Sequence, residues 1–179
     1  MKRFLLLFLA TVVTAWSASA QLSVSQLRTE HLTDPVGIGE RRPLLSWEVS
    51  DASRRGVTQS AYEIRVKSGG RTVWRTGKVA SAESAGVFYD GTPLTSDTRY
   101  TWQVRVWDDR GKASAWSRPA FWRTGLFDVG EWQARWIEPA VSDDLAAMFR
   151  RTFRVTKPVA EATVYVTAHG IYEASVNGH

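Results

Sequence analysis

Paired carboxylates are the first place to look for hydrolytic chemistry, because an acid and a base or nucleophile are often two Asp or Glu side chains. Two adjacent pairs occur, Asp108-Asp109 and Asp143-Asp144. The first sits in "WDDRGK", where Asp and Gly are ordinary turn formers. The second sits in "AVSDD" and lacks the alternating oxygen ligands of a calcium loop. Both pairs read as structural or solvated, not as an acid/base couple. His31, His169 and His179 lie far apart and lack the paired spacing of a zinc site. No Gly-x-Ser-x-Gly elbow is present to seat a nucleophilic serine. Gly37-Ile38-Gly39 begins like a dinucleotide fingerprint, but the third glycine would fall at Arg42 and no helix follows. The chain has no cysteine, so disulfides, a lipoprotein thiol and Cys-ligated metal are excluded. The expected assignment is therefore no catalytic, metal-binding or cofactor-binding residue and no cofactor, with any substrate-binding residues unassigned.

Arginines and tryptophans are the other chemically suggestive residues. Arg41-Arg42, Arg54-Arg55 and Arg150-Arg151 are scattered pairs without a basic stripe. They read as solvated surface or ion pairs and not as a nucleic-acid interface. Nine Trp, five Tyr and seven Phe make an aromatic-rich chain. Exposed Trp rings stack on sugar faces, whereas buried ones are simply core. Trp47 and Trp102 suit the core by parity, and Trp107 lies on the opposite parity from Trp102. Trp116, Trp122, Trp132 and Trp136 cluster near the end of the first domain, where aromatics more often cement an inter-domain contact than hold a ligand.

The elements that must position these residues are β-strands. From Leu22 the apolar residues alternate in short runs bounded by turn formers, and no long stretch carries helical spacing. "LSVSQLRTEHL" opens as a strand, Asp34 to Pro43 reads as loop, and "LLSWEVS" is a strand ended by "DASRRG". In "AYEIRVKSGG", Tyr62, Ile64 and Val66 face one way and Glu63, Arg65 and Lys67 the other. Gly69-Gly70 turns into "RTVWRTGKV". "YTWQVRVW" places Tyr100, Trp102, Val104 and Val106 on one face, and "SAWSRPAFWRTG" returns. About seven strands in residues 22–125 predict an immunoglobulin-like sandwich. "PLTSDTRYTWQV" is similar to the tyrosine-corner pattern of fibronectin type III domains, with Ser96 where that pattern usually carries Pro.

Residues 126–139 read as a connector. A second β pattern, "AAMFRRTFRV", "EATVYVTAHG" and "IYEASVNGH", fills 140–179 and gives three or four strands, fewer than a complete sandwich needs. Asn177-Gly178 is a strong hairpin signal with only His179 after it. This predicts an all-β protein whose second sandwich domain is incomplete.

Residues 1–20, "MKRFLLLFLATVVTAWSASA", have a basic start, an apolar stretch and a small-residue cleavage site at Ala18-Ser19-Ala20. They read as an export signal peptide and not as a membrane anchor. Loss of Lys2 and Arg3 would leave 21 basic and 18 acidic residues, a net charge of +3. The expected location is periplasmic or extracellular, with no membrane association after cleavage.

The ordered series "DPVGIGERRPLLSWEVS", "QSAYEIRV", "VWRTGKV", "YDGTPLTSDTRYTWQVRVWDDRGKASAWS", "FWRTGL" and "EWQARWI" resembles the amino-terminal region of bacterial α-L-rhamnosidases, glycoside hydrolase family 78. "MFRRTFRV" and "ATVYVTAHGIYEASVNGH" resemble the start of that family's next β-sandwich. The resemblance spans 22–179. It implies a secreted enzyme that removes terminal α-L-rhamnose with inversion, using two carboxylates on a downstream (α/α)₆ barrel. No part of that barrel lies in this sequence, so the resemblance implies a non-catalytic amino-terminal fragment. Its partner would be the catalytic domain of the same polypeptide, with a rhamnose-containing glycoside or polysaccharide as substrate of the whole. The other open reading is a stand-alone exported sandwich that binds carbohydrate or protein.

Overall fold

The computed structural model describes residues 22–140 and 146–178. The expected signal peptide, Asp143-Asp144 and His179 lie outside the described residues. The chain divides into two units, the first ending at Ala134 and the second beginning at Arg135.

Eight strands build the first unit: β1 (Ser23–Thr29), β2 (Val36–Ile38), β3 (Leu44–Ser50), β4 (Gln59–Ser68), β5 (Arg71–Arg75), β6 (Val87–Phe88), β7 (Arg99–Asp108) and β8 (Ala120–Thr124). They form a three-stranded sheet in the order β1-β3-β6 and a five-stranded sheet in the order β2-β8-β7-β4-β5. The pairings are antiparallel except that of β2 with β8. This is the expected sandwich.

β2 departs from the sequence reading, which made Asp34–Pro43 a loop. Its glycine, Gly37, hides a short strand because it serves the strand's docking. Gly37 has φ +86°, and a side chain at Gly125 would lie 3.3 Å from the Gly37 carbonyl oxygen. That close approach lets the Gly125 N–H donate to the Ile38 carbonyl at 2.8 Å. The discarded dinucleotide motif is thus a sheet-edge device.

The core follows from alternation. Leu45 and Trp47 of β3, Ile64 and Val66 of β4, and Trp102, Val104 and Val106 of β7 are buried between the sheets. Trp122 is also fully buried, stacked on Tyr100 at 5.3 Å between ring centres, with Tyr89 edge-on at 5.9 Å. Grouping Trp122 with the inter-domain aromatics was therefore incorrect. It alternates with Phe121 and Arg123 along β8, so its parity sends it inward. Trp47 packs edge-on against Tyr62 at 5.3 Å and donates its indole N–H to Gln59 Oε1 at 2.9 Å. Gln59 in turn donates to the Ser81 and Glu83 carbonyls, so a buried amide ties β4 to the loop after β5. The tyrosine corner is formed as expected: the Tyr100 hydroxyl accepts from the Thr95 N–H at 2.9 Å, with Leu94 buried beside it.

In the second unit the alternating runs are not paired into a sheet among the described residues. Phe149, Phe153, Val164, Ile171 and Tyr172 are exposed. A strand is a product of its neighbours: without ladder partners, β propensity alone does not hold a run in place. The Asn177-Gly178 turn does take its expected backbone form, with φ +55° and +84° at the two residues. Trp136 and His169 stack within this unit at 4.1 Å.

Candidate functional site

The outer face of the five-stranded sheet carries a dense network of charge and aromatic rings. It arises from the residues that alternate with the core: Glu63, Arg65 and Lys67 on β4, and Gln103, Arg105 and Trp107 on β7. Register places Glu63 opposite Arg105, and Arg65 opposite both Gln103 and Arg75. Glu63 is the exception to the expected outward, solvated row, being only 2% exposed.

Its carboxylate is enclosed by two guanidinium groups. Arg75 Nε donates to Oε1 at 2.6 Å, and Arg105 Nε donates to Oε2 at 2.7 Å. Burial pushes the Glu63 pKa up, but the hydrogen bonds and charges of Arg75 and Arg105 outweigh it and hold the group below the usual carboxylate range. Arg65 donates from Nε and Nη2 to Gln103 Oε1 at 3.1 and 2.7 Å, and Gln103 Nε2 donates to the Ser117 carbonyl.

Aromatic rings lock these cations. The Arg65 guanidinium lies 4.2 Å from the Trp116 ring centre, and that of Arg105 lies 4.9 Å from the same ring and 5.0 Å from Trp107. Lys78 Nζ sits 4.7 Å from Trp107, and Arg99 lies 3.7 Å from the Phe121 ring. Trp116 is therefore a partner of sheet cations, not the inter-domain cement its position suggested.

Trp116 is held there by the segment 113–118, which runs along β7 before β8 begins. Ser114 and Ser117 stand in for strand residues. The Ser114 N–H donates to the Val106 carbonyl while its Oγ accepts from the Val106 N–H; Ser117 does the same with Val104. Each hydroxyl then donates to the next residue's carbonyl. The segment satisfies a buried strand edge with side-chain oxygens. Sequence reading noted Trp116 but missed this role. The spacing of Ser114 and Ser117 around the ring was the signal that could have revealed it.

The remaining sequence candidates find structural uses. Asp108 is buried, and its Oδ1 accepts from the backbone N–H groups of Arg110 and Lys112, closing the turn. Arg54 pairs with Asp108 at 3.6 Å and also with Asp109. Arg41 pairs with Asp128 and Arg42 with Asp90, each at 3.0 Å, while Arg150 and Arg151 are exposed. His31 lies in the turn after β1 with φ +64°. Shallow depressions lie beside Arg41, Arg42 and Asp90, of about 250 Å³, and beside Arg54, Asp108 and Lys112, of about 220 Å³. Among the described residues, no group of three or more His, Cys, Asp or Glu is placed to hold a metal ion. Among the described residues, no pair of carboxylates is brought together as an acid and a base.

Comparison with known proteins gives this arrangement a context. Residues 24–128 match the family described as "Rha78A-like, N-terminal immunoglobulin domain". An α-L-rhamnosidase of Streptomyces avermitilis is 37% identical over 88% of this chain, and one of Formosa agariphila is 34% identical over 82%. The chain spans 18% of the length of each of these relatives. Among solved structures, that of Streptomyces avermitilis α-L-rhamnosidase complexed with L-rhamnose is similar over 66% of this chain and 12% of its own, with 43% identity and a TM-score of 0.63. The α-L-rhamnosidase from Dictyoglumus thermophilum is similar over 65% of this chain and 14% of its own, with 33% identity and a TM-score of 0.61.

Proposed function

The chain belongs to the family of Rha78A-like N-terminal immunoglobulin domains, and from that premise we propose that it is the non-catalytic leading part of an exported α-L-rhamnosidase. One observation carries this reading: the chain aligns over most of its own length with α-L-rhamnosidases, yet accounts for only 18% of theirs. The commitment of Asp108 and Glu63 to structural bonds supports it. An inverting glycosidase needs two carboxylates roughly 6.5–9.5 Å apart across a sugar site, one to protonate the leaving oxygen and one to activate water. Those groups would belong to a catalytic domain elsewhere on the same polypeptide, acting on terminal α-L-rhamnosides without a cofactor. The first unit would position or shield that domain. The basic leader at residues 1–20 supports a periplasmic or extracellular setting.

The test is direct. The purified chain, incubated with a chromogenic α-L-rhamnoside, is expected to give no turnover above a mock purification. Turnover that co-purifies with the chain and survives a second column would overturn the reading.

A second reading, an exported sandwich that itself binds carbohydrate, is favoured by the cation-rich outer face of the five-stranded sheet.

A further inference from the structure

That face is basic across its width. Arg75 stands on β5, Arg65 and Lys67 on β4, Arg99 and Arg105 on β7, and Lys78 borders them beside Trp107. Two carboxylates that reach it are already paired, Glu63 with Arg75 and Arg105, and Asp97 with Arg123 at 2.8 Å. The cations are also preorganised. Arg65 is fixed by Gln103 and Trp116, Arg105 by Glu63 and two indole rings, and Arg99 by Phe121. A guanidinium has five N–H donors, and the bonds of Arg65 to Gln103 use two of them. Planar forks held in place lose little entropy on meeting a carboxylate, which they match in a bidentate manner.

The character of the face selects among polyanions. Stable protein interfaces deplete charge from their centres, whereas this face is charged through its middle. Nucleic-acid binding to single strands uses open aromatic faces for base stacking, but here guanidinium groups lie over the Trp116 and Phe121 rings. The same capping leaves little ring face for a neutral sugar. What remains is an array of cationic donors held across three neighbouring strands of one sheet. We propose that the outer face of the five-stranded sheet binds a carboxylated polysaccharide, reading its carboxylates by charge and bidentate hydrogen bonds and not by ring stacking.

Titration of the full chain with polygalacturonate, dextran and a single-stranded DNA oligomer, at low ionic strength, tests this without reference to turnover. Failure here would leave the rhamnosidase reading standing, and activity would leave this one standing. Polygalacturonate is expected to bind and dextran not, with binding weakened as salt is added. The double variant Lys67→Glu/Lys78→Glu is expected to weaken binding about tenfold. Arg28→Glu/Arg55→Glu makes the same charge change at exposed positions off this face and is expected to stay within about twofold of the parent. Thermal unfolding checks that each variant folds. If the Glu pair does not, Lys67→Gln/Lys78→Gln replaces it, with an expected loss of about threefold. Absence of polygalacturonate binding, equal loss in both double variants, or tighter binding of DNA than of polygalacturonate would each overturn the proposal.

Discussion

Glu63 illustrates how a single position can contradict its local pattern for a physical reason. Alternation sent it to the solvent side of β4, and it is on that side, yet Arg75 and Arg105 close over it. Cross-strand partners, invisible in a sequence window, decide its burial. Its depressed pKa makes it a linkage group. In the unfolded chain a Glu titrates near pH 4.3, approximately, so the stabilisation is fully present above that value and is lost as pH falls through the lower, folded pKa. Replacing Glu63 with Gln should cost about 1–3 kcal/mol at pH 7, less than a fully buried pair because Arg75 is well exposed. Urea titrations at pH 7 and at pH 3 should show the gap between parent and variant narrowing at the acid end; a gap independent of pH would refute the ion-pair account. Gly91 gives a contrasting case in which space alone rules. A methyl there would lie 2.5 Å from Trp74 Cβ and from the Tyr89 hydroxyl. Gly91→Ala should destabilise by about 1–3 kcal/mol, read from the urea midpoint. An unchanged midpoint would mean the loop relaxes freely.

Strands were legible where one face is core and hidden where their partners are unusual. β3, β4 and β7 follow from period-two alternation, and the tyrosine corner from the spacing of Leu94, Thr98 and Tyr100. β2 is hidden because Gly37, with Gly39 just after it, looks like a loop residue until Gly125 is seen beside it. The alternation makes "SAWSRPAFWRTG", from Ser114, a return strand, but β8 begins only at Ala120. Ahead of it, the hydroxyls of Ser114 and Ser117 supply the acceptors that a regular strand takes from backbone carbonyls. The candidate face is thus only partly visible in the sequence: Arg65, Lys67, Trp107 and Trp116 stand out separately, Arg75, Arg99 and Arg105 do not, and what joins them is cross-strand register plus this segment. Ser117→Ala removes the acceptor for the buried Val104 N–H and should cost about 1–3 kcal/mol in urea unfolding, with Ser117→Thr, which keeps the hydroxyl, closer to the parent. Equal losses in the two variants would assign the effect to packing and not to the hydrogen bond.

At the scale of the whole molecule the two units differ in kind. The first buries its alternating residues between two sheets, and its long central strands β4 and β7 pair over most of their length. The second carries the same alternation, with Phe149, Phe153, Val164 and Ile171 exposed and no strand ladder among its described residues. Strand count separates these cases where alternation alone does not, because period two reports a preference to be half-buried and not the presence of a neighbour to supply the burial. Hydrogen exchange can separate them. Amides of β4 and β7 should be protected to near the global unfolding free energy, whereas those of 146–176 should exchange close to the unprotected rate. In a longer polypeptide that supplies partner strands, the same 146–176 amides should gain protection while β4 and β7 stay as they were. Strong protection of 146–176 in the chain alone would mean that its alternating runs find ladder partners within these 179 residues, and the case for a second sandwich completed from elsewhere on the polypeptide would fall with it.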